Sequence, residues 1–145
     1  MTLPIQGKPR GAVKPAVPTE NAEQAALFRM AALHVGKYPE LALLFAIPNG
    51  SYKSPAARRL FKATGLRSGV PDLMLPAPRI LMVGGEPSPS AGFFLELKRT
   101  TGGVVSPAQA EWIAALTRAG YTAGVFRGWE AAWTAIVAYL EGKPL

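Results

Sequence analysis

The sequence predicts a mixed α/β fold: a four-stranded sheet with parallel and antiparallel neighbours, flanked by helices on both faces. Three observations carry this. Segments with helical caps alternate with short apolar runs, in the order α-β-α-β-β-α-β-α. Two of the runs follow one another across a Pro- and Gly-rich link with no helix between them, which favours an antiparallel pair. The last run is reached through a helix, and such a crossover makes it a parallel neighbour of one of the others. A chain of 145 residues suits one domain with a real core.

Residues 1–18 hold prolines and basic residues without hydrophobic periodicity, and read as a flexible or extended basic arm. The folded domain is expected over 19–145. Its first helix runs from about Glu20 to Val35, with Thr19 as N-cap and Gly36 as terminator. Glu20, Gln24, Leu27 and Ala31 share one helical face; Glu23, Leu27, Met30 and His34 form an overlapping stripe. Both glutamates suit a first turn as partners of the helix dipole. His34 reads as a satisfied histidine rather than a base.

Strand one is expected at Leu43–Ile47, closed by the turn signal Pro48-Asn49-Gly50. Helix two has Ser54 as N-cap, Pro55 as first residue and Gly65 as stop. Arg58, Arg59 and Lys62 align on it at three- and four-residue spacing. Strand two covers Asp72–Leu75. Residues 76–92 form a Pro- and Gly-rich insertion around the apolar Arg79–Val83, which reads as a hairpin arm or a cover for a partner's surface. Strand three is Phe93–Lys98. Helix three opens on a capping box of Ser106, Pro107 and Gln109 and ends at Ala119. Strand four is Tyr121–Phe126. Helix four runs from Trp129 to Leu140, its tryptophans reading as core.

Composition narrows the chemistry. There is no cysteine and only one histidine, so thiolate and His-based metal sites are excluded. Any metal is held by oxygen, which favours magnesium, manganese or calcium. A net charge of +7 points to an anionic partner. No acid stands between Glu40 and Asp72, an interval holding Lys53, Arg58, Arg59, Lys62 and Arg67. That block reads as a phosphate-backbone track. The longest apolar run, Leu41–Ile47, is too short to span a bilayer, and the N-terminus lacks a signal-peptide core. The expected location is cytoplasmic, with no membrane partner.

Side chains of a strand alternate, so in Phe93–Lys98 the leucines face one side while Phe94, Glu96 and Lys98 face the other. A carboxylate and an ammonium on one face of an apolar strand are costly to bury without a task. A divalent cation shared by Asp72, the sole aspartate, and Glu96, with Lys98 beside it, is such a task. This is a constellation for metal-assisted phosphodiester hydrolysis.

The order Pro-Asp, then Glu-x-Lys, resembles the core of the restriction-endonuclease-like PD-(D/E)xK nucleases. PNG, a basic helix, GLRSGVPDLML, FFLELKR, GG, SPAQAEW, a Gly-Tyr turn and a closing helix ending in YL together resemble the VRR-NUC family, from about residue 19 onward. The resemblance implies catalytic roles for Asp72, Glu96 and Lys98. Its helix-one glutamate, followed by a glutamine, maps best onto Glu20 with Gln24, with Glu23 as rival. Its glutamine after the Ser-Pro turn matches Gln109, for which capping is already a sufficient reason. Asp72, Glu96, the Leu97 carbonyl and Glu20 would hold Mg²⁺ or Mn²⁺. Asn49, Lys53, Arg58, Arg59, Lys62, Arg67 and Arg99 would bind DNA. The resemblance further implies a bacterial or phage-encoded homodimeric endonuclease of DNA repair acting on branched DNA, such as four-way junctions or flaps. The alternative is a non-catalytic DNA-binding module of the same fold.

Overall fold

A computed structural model describes residues 16–48 and 54–145. Most of the expected N-terminal arm, and the candidate DNA-binding residues Asn49 and Lys53, lie outside the described residues.

The elements are α1 (Glu20–His34), a 3₁₀ turn (Pro39–Leu43), β1 (Phe45–Ala46), α2 (Pro55–Ala63), β2 (Leu73–Leu75), β3 (Arg79–Val83), β4 (Glu86–Ser90), β5 (Phe93–Lys98), α3 (Pro107–Arg118), β6 (Thr122–Arg127) and α4 (Trp129–Leu140). The main sheet has the order β1-β2-β5-β6. β1 and β5 flank β2 antiparallel, and β6 joins β5 in parallel. This is the mixed four-stranded sheet read from the sequence, and the expected antiparallel pair and parallel crossover are both present.

The helix caps follow the local sequence. Thr19 Oγ1 accepts from Ala22 N at 3.2 Å, and Ser54 Oγ from Ala57 N at 3.1 Å. At α3 the box is reciprocal: Ser106 Oγ accepts from Gln109 N, and Gln109 Oε1 from Ser106 N at 2.8 Å. Each bond satisfies a donor that an uncapped helix end leaves orphaned.

Strand one is shorter than expected. Leu43 belongs to the 3₁₀ turn rather than to the strand. Leu41 and Leu44 are both buried at a spacing of three, which a tight helical turn provides and an alternating strand does not. Small shifts also occur at strand two, which starts at Leu73, and at strand four, which spans Thr122–Arg127.

The core lies on the leucine side of β5. Phe93, Leu95 and Leu97 pack there with Leu73 and Leu75 of β2, Leu27 and Ala31 of α1, and Ile136 and Tyr139 of α4. Phe93 meets Phe126 edge-on at 5.7 Å and Tyr139 at 5.0 Å. Each fully buried large apolar side chain contributes roughly 1.5–3 kcal/mol. Trp129 and Trp133 pack against this core, as expected, and the His34 ring lies tilted against Trp133, centroids 4.8 Å apart, with Nδ1 2.9 Å from the Met30 carbonyl. The opposite face of β5 and β6 carries α3.

The insertion is a hairpin, β3–β4, forming a second small sheet. It is tied to the end of α4: Met82 N donates to the Gly142 carbonyl at 3.0 Å and Arg79 Nε to the Leu140 carbonyl at 3.1 Å, while Arg79 also pairs with Glu40.

Candidate active site

The register of the β2–β5 pair assembles the site. Leu73 faces Leu95, so one step outward Asp72 stands opposite Glu96. Ile47 N donates to the Asp72 carbonyl at 2.7 Å, keeping the aspartate backbone in line with β1. The Asp72 carboxylate turns across to β5, where Oδ2 accepts from Leu97 N at 2.9 Å. Two segments separated by the hairpin insertion thereby bring both carboxylates together.

Glu96 is only 1% exposed and Lys98 6%. Lys98 Nζ lies 2.8 Å from Glu96 Oε1 and 3.9 Å from Glu20 Oε1. The same Glu96 Oε1 accepts from Gln109 Nε2 at 2.5 Å. Because Gln109 Oε1 is committed to the cap of α3, its amide must present Nε2 to Glu96. Glu96 Oε2 is buried with no hydrogen-bond partner. Burial pushes the Glu96 carboxyl above its ordinary range; the Lys98 hydrogen bond opposes this, and the charges of Asp72 and Glu20 reinforce it.

The two helix-one acids have different surroundings. Glu20 is half exposed beside Lys98. Glu23 is 3% exposed, and its Oε2 accepts from Trp129 N at 2.9 Å, capping the N-terminus of α4. A carboxylate there offsets the helix dipole. Gln24 is half-buried and does not line the cleft described next.

A cleft of about 690 Å³ opens over these groups. Its floor holds Asp72, Glu96 and Lys98, with Glu20, Ser106 and Gln109 at the sides. Its roof is cationic: Arg58 and Lys62 from α2, and Arg67 from the loop that follows. Arg59 and Arg99 are exposed and lie outside the cleft walls. Phe61, Leu66 and Val70 also line it, and sequence reasoning passed them over; the run GLRSGVPD was the signal that this loop is built for a purpose. The loop is held to α3. Trp112 Nε1 donates to the Ser68 carbonyl at 3.0 Å. Gly69 has φ +86°, and a Cβ there would stand 2.6 Å from the Ala108 carbonyl carbon, so both conformation and space require glycine.

The donor set fits a small hard cation. Among the described residues no group of three or more acidic or imidazole side chains forms a ready cage. Two carboxylates from facing strand positions do line one cleft, and one has a buried oxygen without a hydrogen-bond partner. Magnesium is commonly held by one or two carboxylates while keeping several waters.

The model of the VRR-NUC domain matches residues 23–130, a span that includes Asp72, Glu96, Lys98 and Gln109. The chain belongs to the VRR-NUC family. It is also similar to a solved VRR_NUC domain protein: 25% of residues are identical, the TM-score is 0.65, and the match covers 87% of this chain and 91% of that one. No curated protein matches the chain. The family makes this VRR-NUC chain a nuclease-type DNA-processing domain, of a class that generally uses divalent metal ions. The family match begins at Glu23, three residues after Glu20. Among the described residues no helix is long and apolar enough to cross a membrane.

Proposed function

We propose that this VRR-NUC domain is a Mg²⁺- or Mn²⁺-dependent endonuclease that hydrolyses phosphodiester bonds in branched DNA, four-way junctions or flaps. The observation that carries the reading is the facing pair Asp72 and Glu96 under a cationic cleft, with Lys98 ion-paired to Glu96. Carboxylates on the floor of a phosphate-binding cleft repel their ligand unless a cation lies between. A DNA-binding module without catalysis has no use for them.

Asp72 and Glu96, with the Leu97 carbonyl and Glu20, are the residues that would hold the ion. When bound, it supplies Lewis acidity and charge to offset that building on the phosphate. Gln109 occupies one oxygen of Glu96 and leaves Oε2 for the cation. It therefore orients the catalytic carboxylate besides capping α3. Lys98 aligns the attacking water and stabilises negative charge at the phosphate. Arg58, Lys62 and Arg67 draw the backbone over the floor, and Arg59 and Arg99 extend that contact outside the cleft. Phosphate contacts carry no base information, which suits selection by DNA shape.

We further propose that the active species is an intracellular homodimer, which would set two sites on paired strands. On the hairpin, Ile80 faces Pro89 and Met82 faces Pro87, and all four side chains are exposed. This apolar face is the surface we assign to the second copy. Residues 19–145 form the nuclease domain in this scheme, and 1–18 a basic arm. In this reading the enzyme serves DNA repair and is encoded by a bacterium or a phage.

Incubation with linear, flapped and four-way DNA, with either metal and with chelator, tests the activity. Lys98→Ala should abolish metal-dependent nicking and leave DNA binding largely intact. Cutting at near wild-type rate by that variant would overturn the assignment.

A further inference from the structure

Ion pairing holds only the tip of Lys98. The stem of a lysine has four rotatable carbons, and a carboxylate at one end does not dictate the path of the chain. The stem of Lys98 is supported from elsewhere. Gly103, in the loop after β5, lies so close that a Cβ there would stand 3.1 Å from Lys98 Cβ and 3.3 Å from Lys98 Cδ. Gly103 is not in the left-handed region, so its missing side chain answers a need for space rather than for backbone freedom. The same Cβ would lie 3.5 Å from Arg127 Nη1. Arg127 Nη1 in turn donates to the Gly103 carbonyl at 2.7 Å. Arg127 ends β6 as the parallel register partner of Lys98, so both side chains rise from the same face of the sheet.

We propose that Arg127 is a positioning residue: by gripping the Gly103 carbonyl it presses the loop onto the Lys98 stem and sets where the ammonium is presented. Arg127 lies on the solvent side and touches none of the reacting groups, so it acts through Gly103. The inference rests on Lys98 being the catalytic lysine. An exposed arginine near a DNA cleft has one plain competing role, a phosphate contact. The two roles differ in what they move: a phosphate contact sets affinity and its salt dependence, while a brace on Lys98 sets the rate of the bound complex.

The experiment uses the full chain and a four-way DNA, with KM, maximal rate and the salt slope of DNA binding measured for each variant. Arg127→Ala should lower the maximal rate about ten- to a hundredfold, the scale of a small misplacement of a reacting group, with KM and salt slope unchanged. Arg127→Lys keeps a donor for the Gly103 carbonyl and should recover much of the rate. Gly103→Ala should also lower the rate, and the double variant should lose less than the product of the two losses, because both act on one contact. In metal-free protein the NMR signal of the Lys98 ε-methylene, assigned through Lys98→Arg, should shift in Arg127→Ala and return toward its place in Arg127→Lys. An unshifted signal with an unchanged rate would overturn the inference, and so would a raised KM with a shallower salt slope. Failure here is separable from failure of the nuclease reading. If Lys98→Ala is inert while Arg127→Ala is fully active, only the brace is wrong; if Lys98→Ala cuts normally, the nuclease reading itself falls.

Discussion

Glu96 is held in a form that its surroundings resist. It is buried, its Oε2 has no partner, and burial raises its pKa although Lys98 sits 2.8 Å away. A carboxyl with a raised folded pKa favours folding below the unfolded value, and that contribution is lost as pH rises through the folded pKa. At neutral pH Glu96 therefore costs stability. In chelator, Glu96→Gln should raise the thermal midpoint at pH 7.5, and the gain should shrink as pH falls toward the ordinary glutamate range. Added magnesium should stabilise the wild-type chain and not the variant, since only the former offers the second carboxylate. A melting series over pH, with and without metal, checks both. The two acids of α1 make a second contrast. Glu23→Ala removes the acceptor of a helix-end N–H and should cost about 1–3 kcal/mol of stability. Glu20→Ala removes a half-exposed group beside Lys98, and should leave stability nearly unchanged while lowering the cleavage rate. Denaturant melts and cleavage rates for the pair would reverse these expectations if Glu23 were the catalytic acid.

At the scale of elements, α2 stands apart. It buries none of its residues, and Leu60 on it is 62% exposed. Its caps explain why it forms, and core packing does not explain why it is retained. In the proposed function its work is to bring Arg58 and Lys62 to the cleft that Asp72 and Glu96 also line. Each phosphate contact adds roughly 0.9 to the slope of log affinity against log salt for duplex DNA. Replacing Arg58, Lys62 and Arg67 together by alanine should therefore flatten that slope by up to about three and leave melting little changed; binding titrations at several salt concentrations measure it. Legibility also differs among elements. α1, α2 and α3 were readable because capping signals lie within a few residues of their ends, and α4 because its apolar residues recur at helical spacing. The start of β1 was not, because an unbroken apolar run such as Leu41–Ile47 has no periodicity that separates a tight turn from a strand. Only burial of Leu41 together with Leu44 separates the two.

At the scale of the molecule, charge and apolar surface divide the labour. The cationic roof faces the cleft, while the exposed apolar residues Ile80, Met82 and Val83 gather on the hairpin. β4 alternates serine and proline, and prolines lack the donor that an invading strand needs. That edge is closed to sheet extension, so the proposed dimer would use the face rather than the edge. Ile80→Asp combined with Met82→Asp should convert the proposed dimer to a monomer in sedimentation equilibrium without unfolding it. A wild-type chain that sediments as a monomer at micromolar concentration would remove the dimer proposal.

Read by itself, the chain determined its helix caps, its helical stretches and the alternation that puts Glu96 and Lys98 on one face of β5. All of these depend on residues within a few positions of one another, so propensity and periodicity are enough to set them. The tertiary structure alone decided that Asp72 stands opposite Glu96, that Glu20 and not Glu23 meets Lys98, and that Arg127 reaches Gly103. Those outcomes follow from strand register and helix docking between distant segments. One step of register would carry every side chain of a strand to its other face, and only burial of the whole core selects among the steps.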